Sequence, residues 1–140
     1  MIRYYFEDVK FVLKCRQANN RWLKMVAGSE VRTIGDINII FCSDNYILDI
    51  NMKYLNHDYF TDIITFDYCE GKKLSGDLFI SIDSILENAI EYGVDFEEEL
   101  HRVMVHGLLH LIGYDDHTPE EENQIHAKED YYLKLRKEII

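Results

Sequence analysis

Proline, cysteine and long apolar runs are all scarce in this sequence of 140 residues. With one proline and no low-complexity tract, the chain contains no recognisable linker, and we predict a single domain over residues 1–140. The three cysteines, Cys15, Cys42 and Cys69, are odd in number and far apart, which argues against a disulfide framework or a paired-cysteine zinc site. No stretch reaches the roughly 18 uncharged apolar residues that a membrane span requires.

Positive charge is also scarce, with 15 basic against 26 acidic residues and a formal net charge of −11. This balance argues against passive, charge-driven binding of nucleic acid, and we expect no DNA partner. Residues 1–32 carry a net charge of +4 and could contact phosphate locally, although a solvated helix face is the commoner explanation. The N-terminal segment has no signal-like apolar core, since Glu7, Asp8 and Lys10 interrupt it, so we expect a cytoplasmic protein.

Apolar periodicity predicts the element order β-α-β-α-β-β-α-α-α. The predicted strands are IRYYF, TIGDINIIFCS, DIITFDY and GDLFISI. The predicted helices run from Val9 to about Ala27 and over SDNYILDINMKYL, SIDSILENAIEYG, DFEEELHRVMVHGLLHLIG and TPEEENQIHAKEDYYLKLRKEI. The short connection between the third and fourth strands indicates a hairpin, which makes the sheet mixed. We therefore predict an α+β fold in which a small mixed four-stranded sheet packs with about five helices, one of them a zincin-like metal-binding helix.

Two histidines, His106 and His110, interrupt the apolar fourth helix. Residues four apart lie on one face of a helix, so both imidazoles can bind the same ion. Gly113 can end the helix and turn the chain back, which brings a third ligand to that ion. The spacing is that of the extended zincin motif HExxHxxGxxH. Core histidines with other partners are the alternative, but paired histidines followed by this glycine favour a metal site.

The third ligand is either Asp116 or His117. Spacing favours Asp116, which stands ten residues after His106 where the motif has its last histidine, whereas ligand softness favours His117. Three protein ligands leave the fourth tetrahedral position for water, as in catalytic zinc sites, and we expect one zinc ion per chain.

The residue after the first histidine decides which reaction the site can support. A zincin protease has its general base, a glutamate, at that position, but here the residue is Gly107. Asp115, or whichever of Asp116 and His117 is not bound to the metal, can accept a proton instead. Peptide hydrolysis therefore lacks its usual base, whereas a zinc-bound water could still attack a phosphodiester.

Residues 106–115 read HGLLHLIGYD, which resembles the hallmark HGxLHLxGYDH of the YbeY family of bacterial rRNA maturation endoribonucleases. Asp116 stands in place of the final histidine. The segments TDIITF (61–66) and SGDLFIS (75–81) resemble two strand motifs of the same family. Chain length and element order fit as well, so the resemblance covers nearly the whole chain.

The resemblance implies a zinc-dependent, single-strand-specific endoribonuclease. It implies a role in maturation of the 16S rRNA 3′ end and in ribosome quality control, with rRNA and a ribosomal subunit or ribosomal proteins as partners. The residues that we expect to be catalytic are His106, His110 and Asp115. The expected metal ligands are His106, His110 and Asp116 or His117.

One position departs from the family in a way that concerns the substrate. The family usually has an arginine seven residues before the aspartate that matches Asp62, and here that position is Leu55. Lys53 and His57 are the nearby candidates to bind substrate in its place. Asp62 is a further candidate for the cleft, although it could equally cap a turn. Tyr59 and Phe60 could stack on unpaired bases, although core packing is the commoner fate of aromatic residues.

Two other functions remain open. The first is a non-catalytic ribosome assembly factor with a structural metal, which the acidic composition and the missing arginine favour. The second is a metallopeptidase or amidase, which Gly107 disfavours.

Overall fold

The computed structural model describes residues 1–57 and 61–139, and these residues form four strands and five helices. The strands are β1 (Ile2–Phe6), β2 (Thr33–Cys42), β3 (Ile63–Asp67) and β4 (Lys73–Ser81). The helices are α1 (Arg16–Ser29), α2 (Asp44–Leu55), α3 (Ile82–Tyr92), α4 (Phe96–Ile112) and α5 (Pro119–Ile139). The predicted order of elements is confirmed.

The four strands form one sheet in the order β1-β2-β4-β3. β1 pairs with β2 and β2 with β4 in parallel, whereas β3 and β4 form the antiparallel hairpin that the sequence predicts. The predicted α+β fold with a mixed sheet is therefore confirmed. Among the described strands, β3 is an edge strand, so one side of its backbone has no neighbouring strand and can accept other partners.

Alternation along the strands divides the apolar residues between the two faces of the sheet. One face carries the main core, to which α1, α3, α4 and α5 contribute, with Trp22, Phe41, Leu78 and Met104 among its buried members. The other face carries a smaller cluster built by α2, β2 and β3. The sheet is therefore covered on both faces, with α4 in the main core.

Helix α4 is buried nearly all round, as its apolar sequence predicts. It approaches the sheet closely at Gly107, where an added Cβ would lie 2.8 Å from Ile63 Cδ1 and 3.0 Å from Leu78 Cδ1. A glycine at this position therefore lets the helix lie close to β3 and β4. Since position 107 faces the sheet, positions 106 and 110 lie to one side of the contact.

The start of the first helix was predicted wrongly. Residues 9–15 are not helical, and α1 begins only at Arg16, after Cys15 in a left-handed conformation with φ 58°. The apolar residues of this segment recur at helix-like spacing, but they pack individually against distant elements. The Phe11 ring lies 5.2 Å from that of Phe41 and 5.8 Å from that of Phe96, and Leu13 is buried. Tertiary contacts thus override the local periodicity.

The ends of other elements depend on specific side chains. Ser43 caps α2 by accepting a hydrogen bond from the Tyr46 N–H. A capping box starts α5, because Glu121 N–H donates to Thr118 Oγ1 and Thr118 N–H donates to Glu121 Oε1. The fourth strand begins at Lys73, three residues earlier than predicted.

Two further expectations concern base stacking and membrane insertion. Tyr59 and Phe60, the candidates for stacking on bases, lie outside the described residues. Within the described ranges, none of the helices combines the length and the apolar character needed to cross a membrane.

Gly76→Ala tests the close packing of the hairpin. An added Cβ at Gly76 would lie 2.4 Å from the carbonyl oxygen of Phe66 on β3, a backbone atom that cannot move without separating the strands. We expect the free energy of unfolding to fall by about 1–3 kcal/mol, as for other overpacked sites. Urea denaturation provides the measurement.

Gly28→Ala is the matched control for this prediction. Gly28 lies in α1, and an added Cβ there would meet no atom within 4 Å. The same substitution should therefore stabilise the protein by about 0.5–1 kcal/mol through helix propensity. Equal stability of Gly76→Ala and the wild type would contradict the described approach of β3 to β4.

Candidate metal centre

Helix α4 presents His106 and His110 on one face, one turn apart, as their spacing predicts. The two Nε2 atoms lie 2.9 Å apart. Both rings are largely covered, with side-chain exposures of 18% and 22%. Two imidazole nitrogens this close must share either a proton or a positive ion, because their lone pairs otherwise repel each other.

The chain beyond α4 brings a carboxylate to the same point. Gly113 ends the helix with φ 124°, a conformation that favours glycine. The returning loop places Asp116 Oδ2 3.5 Å from His106 Nε2 and 3.5 Å from His110 Nε2. In the described part of the chain, these three residues are the one group of His, Cys, Asp or Glu side chains that could hold a metal ion.

The donor atoms fit a divalent metal. Two imidazole nitrogens and one carboxylate oxygen are ligands that zinc accepts, and three protein ligands leave a coordination position open. Burial and the neighbouring His106 both lower the pKa of His110, which keeps its nitrogen lone pair available. Burial would also lower the pKa of His106, but its hydrogen bond to Glu129 raises it overall.

A partly buried contact between three parts of the chain anchors the loop that carries Asp116. Glu30, at the end of α1, accepts hydrogen bonds from the hydroxyls of Tyr114 (2.6 Å) and Tyr132 and from Lys128 Nζ (3.1 Å). Burial would raise the pKa of Glu30, but these donors lower it overall, so the group stays ionised. Tyr114 lies two residues before Asp116, so this contact limits the positions that the third donor can take.

The three donor atoms open onto a cleft of about 450 Å³. β3 forms one wall of this cleft through Ile63, Ile64, Thr65 and Asp67, and Thr61, just before the strand, lines it too. Asp115, His117, His57 and Asp62, all predicted site residues, line the cleft as well. None of the described residues that line it is lysine or arginine.

Lys53 and His117, two other predicted site residues, are not among the three converging metal ligands. Lys53 is exposed on α2, with its Nζ 5.3 Å from the centre of the Tyr54 ring, and it is not part of the cleft lining. Leu55, at the position where the resemblance led us to expect an arginine, does line the cleft. His117 lines the cleft, but its ring is not part of the group that converges on a single point.

Asp62 lies just before β3, between this cleft and a second cavity of about 360 Å³ on the other side of His106. Burial raises the pKa of Asp62. Its Oδ2 accepts a hydrogen bond of 3.4 Å from the Asn88 amide. Glu99 lines the second cavity. Its pKa is raised mainly by burial and, to a smaller extent, by the negative charge of Asp62. Carboxylates with raised pKa values are common at functional sites, although they also occur in structural networks.

Sequence reasoning missed Glu129 on α5. Its Oε2 lies 2.5 Å from His106 Nδ1, and its side chain is only 1% exposed. A signal was present, because Glu129 shares a helix face with the buried residues Ile125, Tyr132 and Leu133. An acidic residue on an apolar face needs a partner inside the protein.

Two further histidines, His101 and His126, lie outside the metal centre. His101 is buried beside Trp22, with ring centres 6.0 Å apart, and burial lowers its pKa to about 4. His126 is exposed and lies 3.3 Å from Glu129 Oε1. Neither belongs to the group of converging donor atoms.

Comparison with known protein families confirms the resemblance seen in the sequence. A family model described as Endoribonuclease YbeY matches residues 5–137. A Bacteroides fragilis protein named Endoribonuclease YbeY is 47% identical over 137 residues, which cover 98% of this chain and 99% of the relative. A Cytophaga hutchinsonii protein of the same name is 48% identical over 137 residues, which cover 97% and 96% of the two chains. The predicted family and its enzyme class, an endoribonuclease, are confirmed.

A solved structure supports the same fold. The solution structure of a Thermotoga maritima protein matches with a TM-score of 0.66 and 28% sequence identity. The match covers 97% of this chain and 89% of the other. The arrangement of sheet and helices is therefore shared with an experimentally determined structure.

Separate substitution of Asp116 and His117 tests the identity of the third ligand. We expect Asp116→Ala to weaken zinc binding by at least about 10-fold, because it removes one of three ligands. His117→Ala should leave the affinity within about 3-fold of the wild type, since its ring lies outside the converging group. Competition with a chromophoric chelator measures both affinities, and the reverse order would assign the third ligand to His117.

Proposed function

Since this chain belongs to the Endoribonuclease YbeY family, we propose that it is a zinc-dependent endoribonuclease that cleaves single-stranded RNA. Its role would be in the cytoplasm, in maturation of the 16S rRNA 3′ end and in ribosome quality control. The observation that carries the proposal is the convergence of three donor atoms, from His106, His110 and Asp116, on an open cleft beside an edge strand.

His106, His110 and Asp116 would hold the metal. The set of two imidazoles and one carboxylate supports zinc, and it leaves at least one position for solvent or substrate. A bound zinc ion would lower the pKa of a coordinated water and stabilise negative charge on a phosphoryl oxygen. The protein's own part is to fix the three donors before substrate arrives, which the packing of α4 and the anchored loop both support.

Asp115 is the candidate to accept or return a proton during cleavage. It lies in the loop next to Asp116, is exposed and lines the cleft. A carboxylate there can reach solvent and substrate, whereas position 107, where a zincin protease carries its base, faces Ile63 and Leu78 in the sheet. This arrangement argues against the metallopeptidase alternative.

Substrate binding would depend on hydrogen bonds more than on charge. His57 and His117 line the cleft and can donate to phosphate oxygens, and the exposed edge of β3 offers backbone groups. Asp62, which also lines the cleft, can accept hydrogen bonds from a base. With an acidic chain and no lysine or arginine among the described lining residues, we expect weak binding of free RNA.

The weak binding expected for free RNA suggests that the protein encounters its substrate while a second contact holds the two together. A protein that attracts RNA weakly gains affinity when a second contact raises the effective concentration of the substrate. A ribosomal subunit or a ribosomal protein would supply that contact. The acidic composition also favours the alternative function, that of a ribosome assembly factor in which the metal is structural.

RNA cleavage before and after metal removal separates the two functions. We expect a chelator to abolish cleavage of a single-stranded oligonucleotide and added zinc to restore it. His110→Ala should reduce cleavage by at least roughly 100-fold, because a metal supplies several kcal/mol of transition-state stabilisation. Gel analysis of labelled RNA, at matched protein purity, provides the measurement.

Lys72→Ala is the control, because Lys72 lies in the hairpin loop away from the cleft lining. It should retain the wild-type rate. Cleavage that resists chelation and is equal in all variants would come from a contaminating nuclease. The assembly-factor function, with a structural metal, would then replace the one proposed.

A further inference from the structure

Glu129 is buried on α5, on the helix face that packs into the protein. The residues that share its helix face, Ile125, Tyr132 and Leu133, are packed in the main core. The Trp22 indole N–H donates to the Tyr132 carbonyl at 2.8 Å, which fixes the position of this turn of the helix. A buried carboxylate destabilises the folded state unless each of its oxygens has a strong hydrogen-bond partner.

Both oxygens of Glu129 have such partners. Oε2 lies 2.5 Å from His106 Nδ1, and Oε1 accepts a hydrogen bond of 2.9 Å from Arg102 Nη1. The guanidinium also donates from Nη2 to Asp130 Oδ1 at 2.6 Å, but Asp130 is 69% exposed and this surface bond holds Arg102 only weakly, so the contacts made by Glu129 itself are the ones that restrain its carboxylate. The carboxylate therefore has little freedom to rotate away from the imidazole.

This contact determines which nitrogen of His106 is free. A carboxylate accepts hydrogen bonds and donates none, so His106 must carry its proton on Nδ1. In the neutral ring the lone pair is then on Nε2. Nε2 is the atom that lies 2.9 Å from His110 Nε2 and 3.5 Å from Asp116 Oδ2.

We propose that Glu129, clamped by Arg102, is a positioning residue that fixes the tautomer and the orientation of His106 for metal binding. The inference rests on the proposed metal site and deepens it, since it adds a fourth residue that touches neither metal nor substrate. It also links the metal site to α5, so that docking of this helix and metal binding reinforce each other.

Glu129→Gln tests the proposal, with Asp130→Asn as the matched control. Both substitutions remove one carboxylate next to Arg102, but only Glu129 contacts His106. We expect Glu129→Gln to weaken zinc binding by about 10–100-fold, as for other residues that orient a metal-bound histidine. Asp130→Asn should change the affinity by less than about 3-fold. Chelator competition on the full-length protein provides both values.

A second measurement uses the wild-type protein and needs no substitution. Long-range ¹H–¹⁵N NMR of the zinc-loaded wild type reports which imidazole nitrogen binds the metal and which carries the proton. We expect His106 to show a protonated Nδ1 and a zinc-bound Nε2. Coordination through Nδ1, or equal zinc affinity of Glu129→Gln and the wild type, would overturn the proposal.

These readouts are independent of the proposed reaction. If the protein binds zinc but cleaves no RNA, the loss of affinity in Glu129→Gln still supports the inference, and only the proposed function fails. If the protein cleaves RNA while Glu129→Gln binds zinc normally, the inference fails and the function stands.

Discussion

The close packing of α4 against β3 and β4 is the constraint on which the rest of the site depends. At Gly107 the helix approaches Ile63 and Leu78 so closely that any side chain would have to displace them. This contact fixes the rotation of the helix about its axis. His106 and His110 consequently face the cleft beside the edge strand rather than the core. The same contact explains why the position that carries a base in zincin proteases is not available for chemistry here.

Two connections extend this constraint to the remaining parts of the site. The first is Glu30, which holds Tyr114 and thereby the loop that carries Asp116. The second is Glu129, which joins α5 to His106. Both are charged groups that form several hydrogen bonds in partly or fully buried places. Such bonds are strong there, and removing one partner destabilises the fold. The metal ligands are therefore supported from α1 and from α5 as well as from α4.

Features that depend on local spacing were accessible to sequence reasoning. The i, i+4 histidines, Gly113 and the capping box at Thr118 each act within a few residues, and their geometry follows from helix periodicity. Features that depend on distant contacts were not. Residues 9–15 have helical spacing but pack as separate anchors, and Lys53 lies near the cleft in sequence without lining it. Glu129 is 23 residues from His106, so only its place on an apolar face of α5 could have indicated a partner.

Zinc K-edge X-ray absorption of the zinc-loaded protein tests the central claim, an open site with three protein ligands, most directly. The account predicts two imidazole nitrogens together with oxygen ligands from Asp116 and solvent, at distances of about 2.0–2.2 Å, and no sulfur. Three or more imidazoles, or a sulfur ligand, would contradict it. Either result would mean that the metal lies elsewhere than at the point where His106, His110 and Asp116 converge, or that it recruits other side chains.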